Sequence, residues 1–269
     1  MLQPIGAVAR AALRPETYPG HAREAVSLAV TATMWPFGLV DRGLAELRRH
    51  LGDDPEDNGR SPVLLIHGFA ANKSNWLFLA RDLRDAGFGR VDALNYNPLT
   101  LDIPGLADAC SRRARDLLEA TGADRVHLVG HSLGGIVARY AVQLGGLDDV
   151  AASCVTIASP HGGVGHLPCR LAPIRTVRQL TPGSPVLARL SASSRPLRTR
   201  FVAYYSNLDL LVPGNRARIV EPALRATNVL VKDEGHLSIL LSRRLSSSLL
   251  HELAAVDGDG TALASLPAA

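Results

Sequence analysis

The feature that most constrains this chain is a serine set between glycines where an apolar run meets a helical pattern. Val126-His127-Leu128-Val129 runs into Gly130-His131-Ser132-Leu133-Gly134-Gly135 and then Ile136-Val137-Ala138-Arg139-Tyr140-Ala141-Val142, which predicts strand, sharp turn and helix. A residue at the tip of such a turn is held in strained backbone dihedrals. Side chains flanking it would collide where strand and helix converge, and they are missing at Gly130 and Gly134. Ser132 then stands exposed above the strand end. The helix behind it aims unpaired amides at the same spot, so an oxyanion formed when Ser132 attacks a carbonyl would meet donors already in place.

A serine hydroxyl is a weak nucleophile, so it needs a base within hydrogen-bond reach and an acid that orients the base. Asp209 follows the apolar run Phe201 to Tyr205, in a loop at a strand's carboxyl end, and is the expected acid; Asp233 and Glu234 are its rivals. His236 comes last before the final helical pattern and is the expected base. His161, in Ser159-Pro160-His161-Gly162-Gly163, is the other histidine after a strand. No acid-bearing strand separates it from Ser132, so it is expected to shape the pocket, while His127 and His131 are expected to be structural. A second oxyanion donor beside the Leu133 amide is expected from Phe69 in His67-Gly68-Phe69, at the end of the first strand.

From Pro62 onward short apolar runs alternate with helical patterns, the mark of a mostly parallel sheet with helices on both faces. The expected strands are Val63 to Ile66, Val91 to Leu94, Val126 to Val129, Ala152 to Ile157, Phe201 to Tyr205 and Asn228 to Val231. Between the second and third, Ile103, Leu106, Ala107, Cys110, Ala114, Leu117 and Leu118 recur at helical spacing, with Arg112, Arg113 and Arg115 on the solvated side. Residues 160–199 hold no strand pattern and are expected to form a small cap over the sheet edge. There Ser184 can cap a short helix opened by Pro185 and running through Leu190.

Residues 1–61 read as a separate N-terminal extension, 62–255 as the α/β body and 256–269 as a disordered tail. No secretory signal is evident in the first 24 residues. Ala25 to Val40 is uncharged but shorter than the roughly 20 residues a bilayer span needs, and Pro36 and Gly38 interrupt it. It reads either as a helix packed on the body or as a segment dipping into a lipid interface through Trp35 and Phe37. Leu44 to Leu51 looks helical, and residues 52–59 form a polar linker. With 269 residues, 46% of them hydrophobic, the chain can bury one large core.

The net charge of +4 rests on arginine, since Lys73 and Lys232 are the only lysines, and no basic run interleaves with aromatics as a nucleic-acid groove requires. Three cysteines, Cys110, Cys154 and Cys169, form no C-x-x-C pair, which argues for a reducing compartment; a cytoplasmic or peripheral-membrane location is expected. No set of calcium-binding carboxylates stands out, so neither metal nor cofactor is expected.

The segment from about Pro62 to Leu241 resembles an α/β-hydrolase, and within that class bacterial lipases and esterases related to lipid acyl hydrolases. The resemblance is carried by Gly130 to Gly134 as elbow, His67-Gly68-Phe69 as oxyanion loop, Asp209-Leu210-Leu211-Val212-Pro213 as acid loop and Gly235-His236 as histidine loop. Thr156 to Gly163 and Leu180 to Ser184 also resemble lipase-family segments. The resemblance implies a serine hydrolase of carboxylic esters. The uncharged stretch 25–40 would be costly to leave in water, and whether it walls an acyl pocket or contacts a membrane surface, it points to medium- or long-chain acyl esters or lipids. Thioesterase, phospholipase and acyltransferase activities share the same acyl-enzyme and stay open. So does a hydrolase-like binding protein that turns nothing over. Residues 1–61 lie outside the resemblance.

Overall fold

The computed structural model describes residues 17–39, 59–165, 172–192 and 195–258. Strands β1 (Val63–Ile66), β2 (Val91–Leu94), β3 (Val126–His131), β4 (Ala151–Ile157), β5 (Arg200–Tyr205) and β6 (Thr227–Leu230) form one sheet in the order β2-β1-β3-β4-β5-β6. Every neighbouring pair is parallel. Parallel strands covered on both faces read as continuous apolar runs, and β1, β3 and β4 are buried at every position. The chain builds outward to β2, then returns to lay β3 on the other side of β1. That reversal opens a crevice at the carboxyl ends of β1 and β3.

Alternation along β1 separates two cores. Leu64 and Ile66 face α3 (Ile103–Thr121) and α4 (Leu133–Gln143), while Val63 and Leu65 face α2 (Leu77–Asp85) and the last helix, Arg243–Val256. Helix α3 starts where the Asp102 carboxylate accepts the Gly105 N–H at 3.1 Å, and it ends at Gly122, whose φ of 69° suits glycine. Its buried stripe is the one expected from spacing, and Arg113 on its outer side pairs with Asp92 at 2.6 Å. Helix α4 is buried along its whole length.

Helix α1 (Tyr18–Met34) begins before the uncharged stretch, with a proline in its first turn, and gives way at Trp35–Leu39 to a 3₁₀ turn containing Pro36. It packs on the body through small residues: Gly20 and Ser27 are buried, while Val26 and Leu28 are exposed. A methyl at Gly20 would lie 2.4 Å from Leu208 Cδ1 and 2.9 Å from the Asp233 carbonyl oxygen. Asn72 Nδ2 donates to the Trp35 carbonyl at 2.8 Å and fastens the turn that follows.

The segment expected as a cap holds α5 (Arg175–Gln179) and α6 (Pro185–Ala192), the latter capped by Ser184 Oγ, which accepts the Leu187 N–H at 3.3 Å. Leu180, Val186, Leu187 and Leu190 join the core beside α3 and α4, so this part of the chain packs on the helical face. The tail does not begin at residue 256. Helix α7 (Arg243–Val256) runs through that position, and Asp257 turns back to receive Ser61 Oγ at 2.7 Å. Strands β1 and β2 match their apolar runs, β3, β4 and β5 extend one or two residues beyond theirs, and β6 starts and ends one residue early. The ladder carries β3 to His131 because Gly130 and His131 still pair with Thr156 and Ile157. The expected helix Leu44 to Leu51, most of the linker, and residues 259–269 lie outside the described residues.

Candidate active site

Ser132 sits at the joint of β3 and α4 with φ 53° and ψ −121°, a conformation rare for a side chain and held by the Ser132 N–H donating to the Ile157 carbonyl at 2.8 Å. The neighbouring glycines permit the joint. A methyl at Gly130 would lie 2.4 Å from the backbone of Gly134, and one at Gly134 would lie 2.0 Å from the Ile66 carbonyl oxygen. A methyl at Gly135, a position not singled out from the sequence, would lie 2.0 Å from Ser159 Oγ.

Three side chains from the ends of three strands meet here. Ser132 Oγ lies 3.1 Å from His236 Nε2, and His236 Nδ1 lies 2.8 Å from Asp209 Oδ2. The Asp209 carboxylate only accepts, so the imidazole proton sits on Nδ1 and Nε2 is left to accept from the Ser132 hydroxyl. Asp209 Oδ1 accepts the N–H groups of Leu211 at 2.9 Å and Val212 at 2.8 Å, so both carboxylate oxygens are engaged. All three residues are buried. The rivals face elsewhere: Asp233 receives the Asn207 amide at 3.1 Å, and Glu234 receives Ser238 Oγ at 2.8 Å.

His161 does not shape the cleft at Ser132. It is buried between Arg139 Nη1 at 3.2 Å and Thr156 Oγ1 at 3.0 Å, and burial followed by the nearby guanidinium drives its pKa well below the ordinary value. His131 donates through Nε2 to the His236 carbonyl at 2.9 Å, so the residue before the serine holds the backbone of the residue facing it. Burial, then the nearby His236, lowers its pKa to about 3.

His67 stacks on Tyr96 with ring centroids 4.1 Å apart, accepts the Tyr96 N–H at 3.3 Å, and donates through Nδ1 to the Gly68 carbonyl at 2.8 Å. Burial brings its pKa down to about 4. The loop it opens lies against the serine: a methyl at Gly68 would stand 3.1 Å from Ser132 Cβ.

A cleft of about 430 Å³ opens over Ser132 and His236, walled by Phe69, Leu208, Leu210 and Leu211 and, on the far side, by His21, Glu24, Leu28 and Thr31 of α1. A second, of about 610 Å³, shares the wall Phe69-Ala70-Ala71 and continues past Trp35, Tyr96, Pro98 and Leu99. The sequence offered α1 as one of two readings, a helix packed on the body, and did not choose it, because it docks through glycine and serine rather than through an apolar stripe. Cys110 and Cys154 are buried free thiols, and burial raises the pKa of Cys110 to about 12. Among the described residues no group of histidine, cysteine and carboxylate side chains is placed to hold a metal ion, and no helix is long and apolar enough to cross a membrane.

A serine-bearing elbow at the switch point of a parallel sheet, with aspartate and histidine loops in that order behind it, defines a class, and the sequence profile of the alpha/beta hydrolase family matches residues 63–256. The chain belongs to that family. Within it, the chain resembles lipases. A triacylglycerol lipase of Pseudarthrobacter phenanthrenivorans is 32% identical over 112 residues, 39% of this chain and 34% of that protein. A triacylglycerol lipase of Burkholderia plantarii is 32% identical over 112 residues, 39% of this chain and 30% of that protein. The chain thus spans about a third of either relative's length. Of solved structures, a mature Bacillus licheniformis lipase shares the fold with a TM-score of 0.61 at 19% identity, covering 74% of this chain and 96% of that one.

Proposed function

We propose that the protein hydrolyses carboxylic esters as a lipase or esterase, through an acyl-enzyme on Ser132. His236 Nε2 takes the hydroxyl proton as Oγ attacks the ester carbonyl, and Asp209 stabilises the imidazolium that results. The tetrahedral oxyanion is held by the amides of Leu133 and Phe69. Its collapse breaks the bond to the alcohol oxygen, which leaves with the proton from His236, and water then repeats the sequence to free the acid. The observation that carries this reading is the continuous Ser132-His236-Asp209 contact opening on an apolar cleft.

An ester held at Ser132 has two arms, and the two clefts that share Phe69-Ala70-Ala71 offer each arm an apolar channel, which favours medium- or long-chain acyl substrates. The cleft rims carry exposed Leu28, Trp35, Leu99, Leu210 and Leu211, suited to contact with a lipid surface. A fluorophosphonate probe should label wild-type protein at Ser132 and fail on Ser132→Ala. A chain-length series of nitrophenyl esters, with and without liposomes, should peak beyond butyrate and rise with lipid. Labelling at another residue refutes the mechanism, and fastest turnover on acetate, indifferent to lipid, refutes the substrate class.

A further inference from the structure

Helix α1 precedes the segment shared with the family, yet its one buried-side carboxylate reaches the loop that carries His236. Glu24 Oε1 accepts the Leu237 N–H at 2.9 Å, and Oε2 accepts the same N–H at 3.0 Å and that of Ser238 at 2.8 Å. These are the two amides that follow His236 and open the 3₁₀ turn Ser238–Leu241, where backbone donors have no partner within the turn. Glu24 caps that turn from 213 residues away in sequence.

The contact is built into both partners. A methyl at Gly235 would lie 2.3 Å from Glu24 Oε2, so any side chain before His236 would expel the carboxylate. On the other flank Gly235 N–H donates to Ser238 Oγ at 2.7 Å, and that hydroxyl donates to Glu234 at 2.8 Å. Arg23 pairs with Glu234 at 3.4 Å and donates to the Asp233 carbonyl. The backbone is tied on both sides of the histidine, upstream through Gly235 on Ser238 Oγ and downstream through His131 on the His236 carbonyl and, from α1, Glu24 on the next two amides.

We propose that Glu24 is a positioning residue for His236, so that α1 completes the active site rather than merely covering it. The inference rests on the roles given above to Ser132 and His236. A carboxylate suits the task because it offers acceptors on both oxygens to two N–H groups, whereas a carboxamide turns a donor toward one of them. A catalytic base displaced by a fraction of an ångström loses the alignment on which proton transfer depends.

The test uses the full chain. Glu24→Ala should lower kcat on a nitrophenyl ester, and the rate of fluorophosphonate labelling, by about 10²-fold, with a much smaller change in KM. The downfield NMR resonance of the His236 Nδ1 proton should broaden or vanish. Glu24→Gln, which keeps one acceptor, should fall between. Ser27→Ala, which removes a hydroxyl bonded to the Arg23 carbonyl within α1, controls for loosening of the helix and should keep kcat. If Glu24→Ala lowers the melting temperature while kcat and the resonance stay as in wild type, the carboxylate only docks the helix and the proposal is overturned. If Glu24→Ala does not fold, Glu24→Gln with wild-type kcat and resonance overturns it equally. Failure of the underlying reading is distinct, since Ser132→Ala would then stay active.

Discussion

Among the described residues, two serine–histidine–aspartate chains lie at opposite ends of β3. At the carboxyl end, Ser132 meets His236 Nε2 and Asp209 meets Nδ1. At the amino end the ring is reversed: Ser153 Oγ lies 2.9 Å from His127 Nδ1, and Asp257 lies 3.1 Å from Nε2. Ser153 sits across from His127 in the register of β3 and β4, both are buried, and neither borders the two clefts. Burial opposes the charge on Asp257, but hydrogen bonds from His127 and Ser61 outweigh it and hold the carboxyl below its usual range. The amino-end chain is a staple joining two strands, the end of α7 and the entry to β1. Three side chains in contact therefore do not make a site. The carboxyl-end set differs by a serine lifted to positive φ, glycines that let a loop and a helix close on it, and an apolar cleft that opens over it.

That contrast predicts opposite phenotypes for like substitutions. Ser132→Ala should lower ester turnover by about 10⁶-fold in a protein that melts as wild type does. Ser153→Ala should keep turnover and lose about 1–3 kcal/mol in urea unfolding, since His127 Nδ1 is left without a partner in the sheet. Loss of turnover in a Ser153→Ala protein of wild-type stability would break the distinction. One step along each chain, Asp209→Asn should cost about 10⁴-fold in kcat with the fold intact. Asp257→Asn should instead cost about 1–3 kcal/mol of stability and little activity. A crippled Glu234→Gln beside a normal Asp209→Asn would move the acid to another loop.

The carboxyl-end set was legible because each member follows an apolar run and a strand's end is a fixed place in a parallel sheet. Ser132, Asp209 and His236 could be named without knowing any contact. The amino-end set was not. His127 and Ser153 pair only through a register that one residue's slip would undo, and Asp257 stood in a stretch that reads as featureless tail. Helix α1 was legible only as one of two readings, for a related reason. It binds through Gly20, Ser27 and Glu24, and neither small residues nor one carboxylate stand out in a hydrophobic pattern. His161 misled because its place after β4 suits a cleft, whereas the guanidinium of Arg139 draws it into the interior.

The smallest expected difference between the two ends is in their response to acid. His67 and His131 are buried beside Ser132, and burial lowers their pKa values from 6.5 to about 4 and about 3. Below pH 6.5 the unfolded chain takes up protons that the folded chain refuses, so their contribution to stability is whole above that pH and drains away as pH falls toward the folded values. For His67 this amounts to about 1 kcal/mol between pH 6.5 and pH 5.5. Asp257, with its pKa depressed below 3.8, keeps its contribution through that window and loses it only at lower pH, as the folded carboxyl protonates. Acid should therefore loosen the carboxyl end of the sheet first. Urea unfolding at a series of pH values should show the decline from pH 6.5 downward, and His67→Gln should make it shallower while leaving the steeper loss at lower pH. Amide exchange at pH 5 should rise in the loops after β1 and β3 before it rises at Ser61 and Asp257. A flat profile between pH 6.5 and pH 4.5, or exchange that opens the amino end first, would show that the buried histidines do not set the order in which the two ends fail.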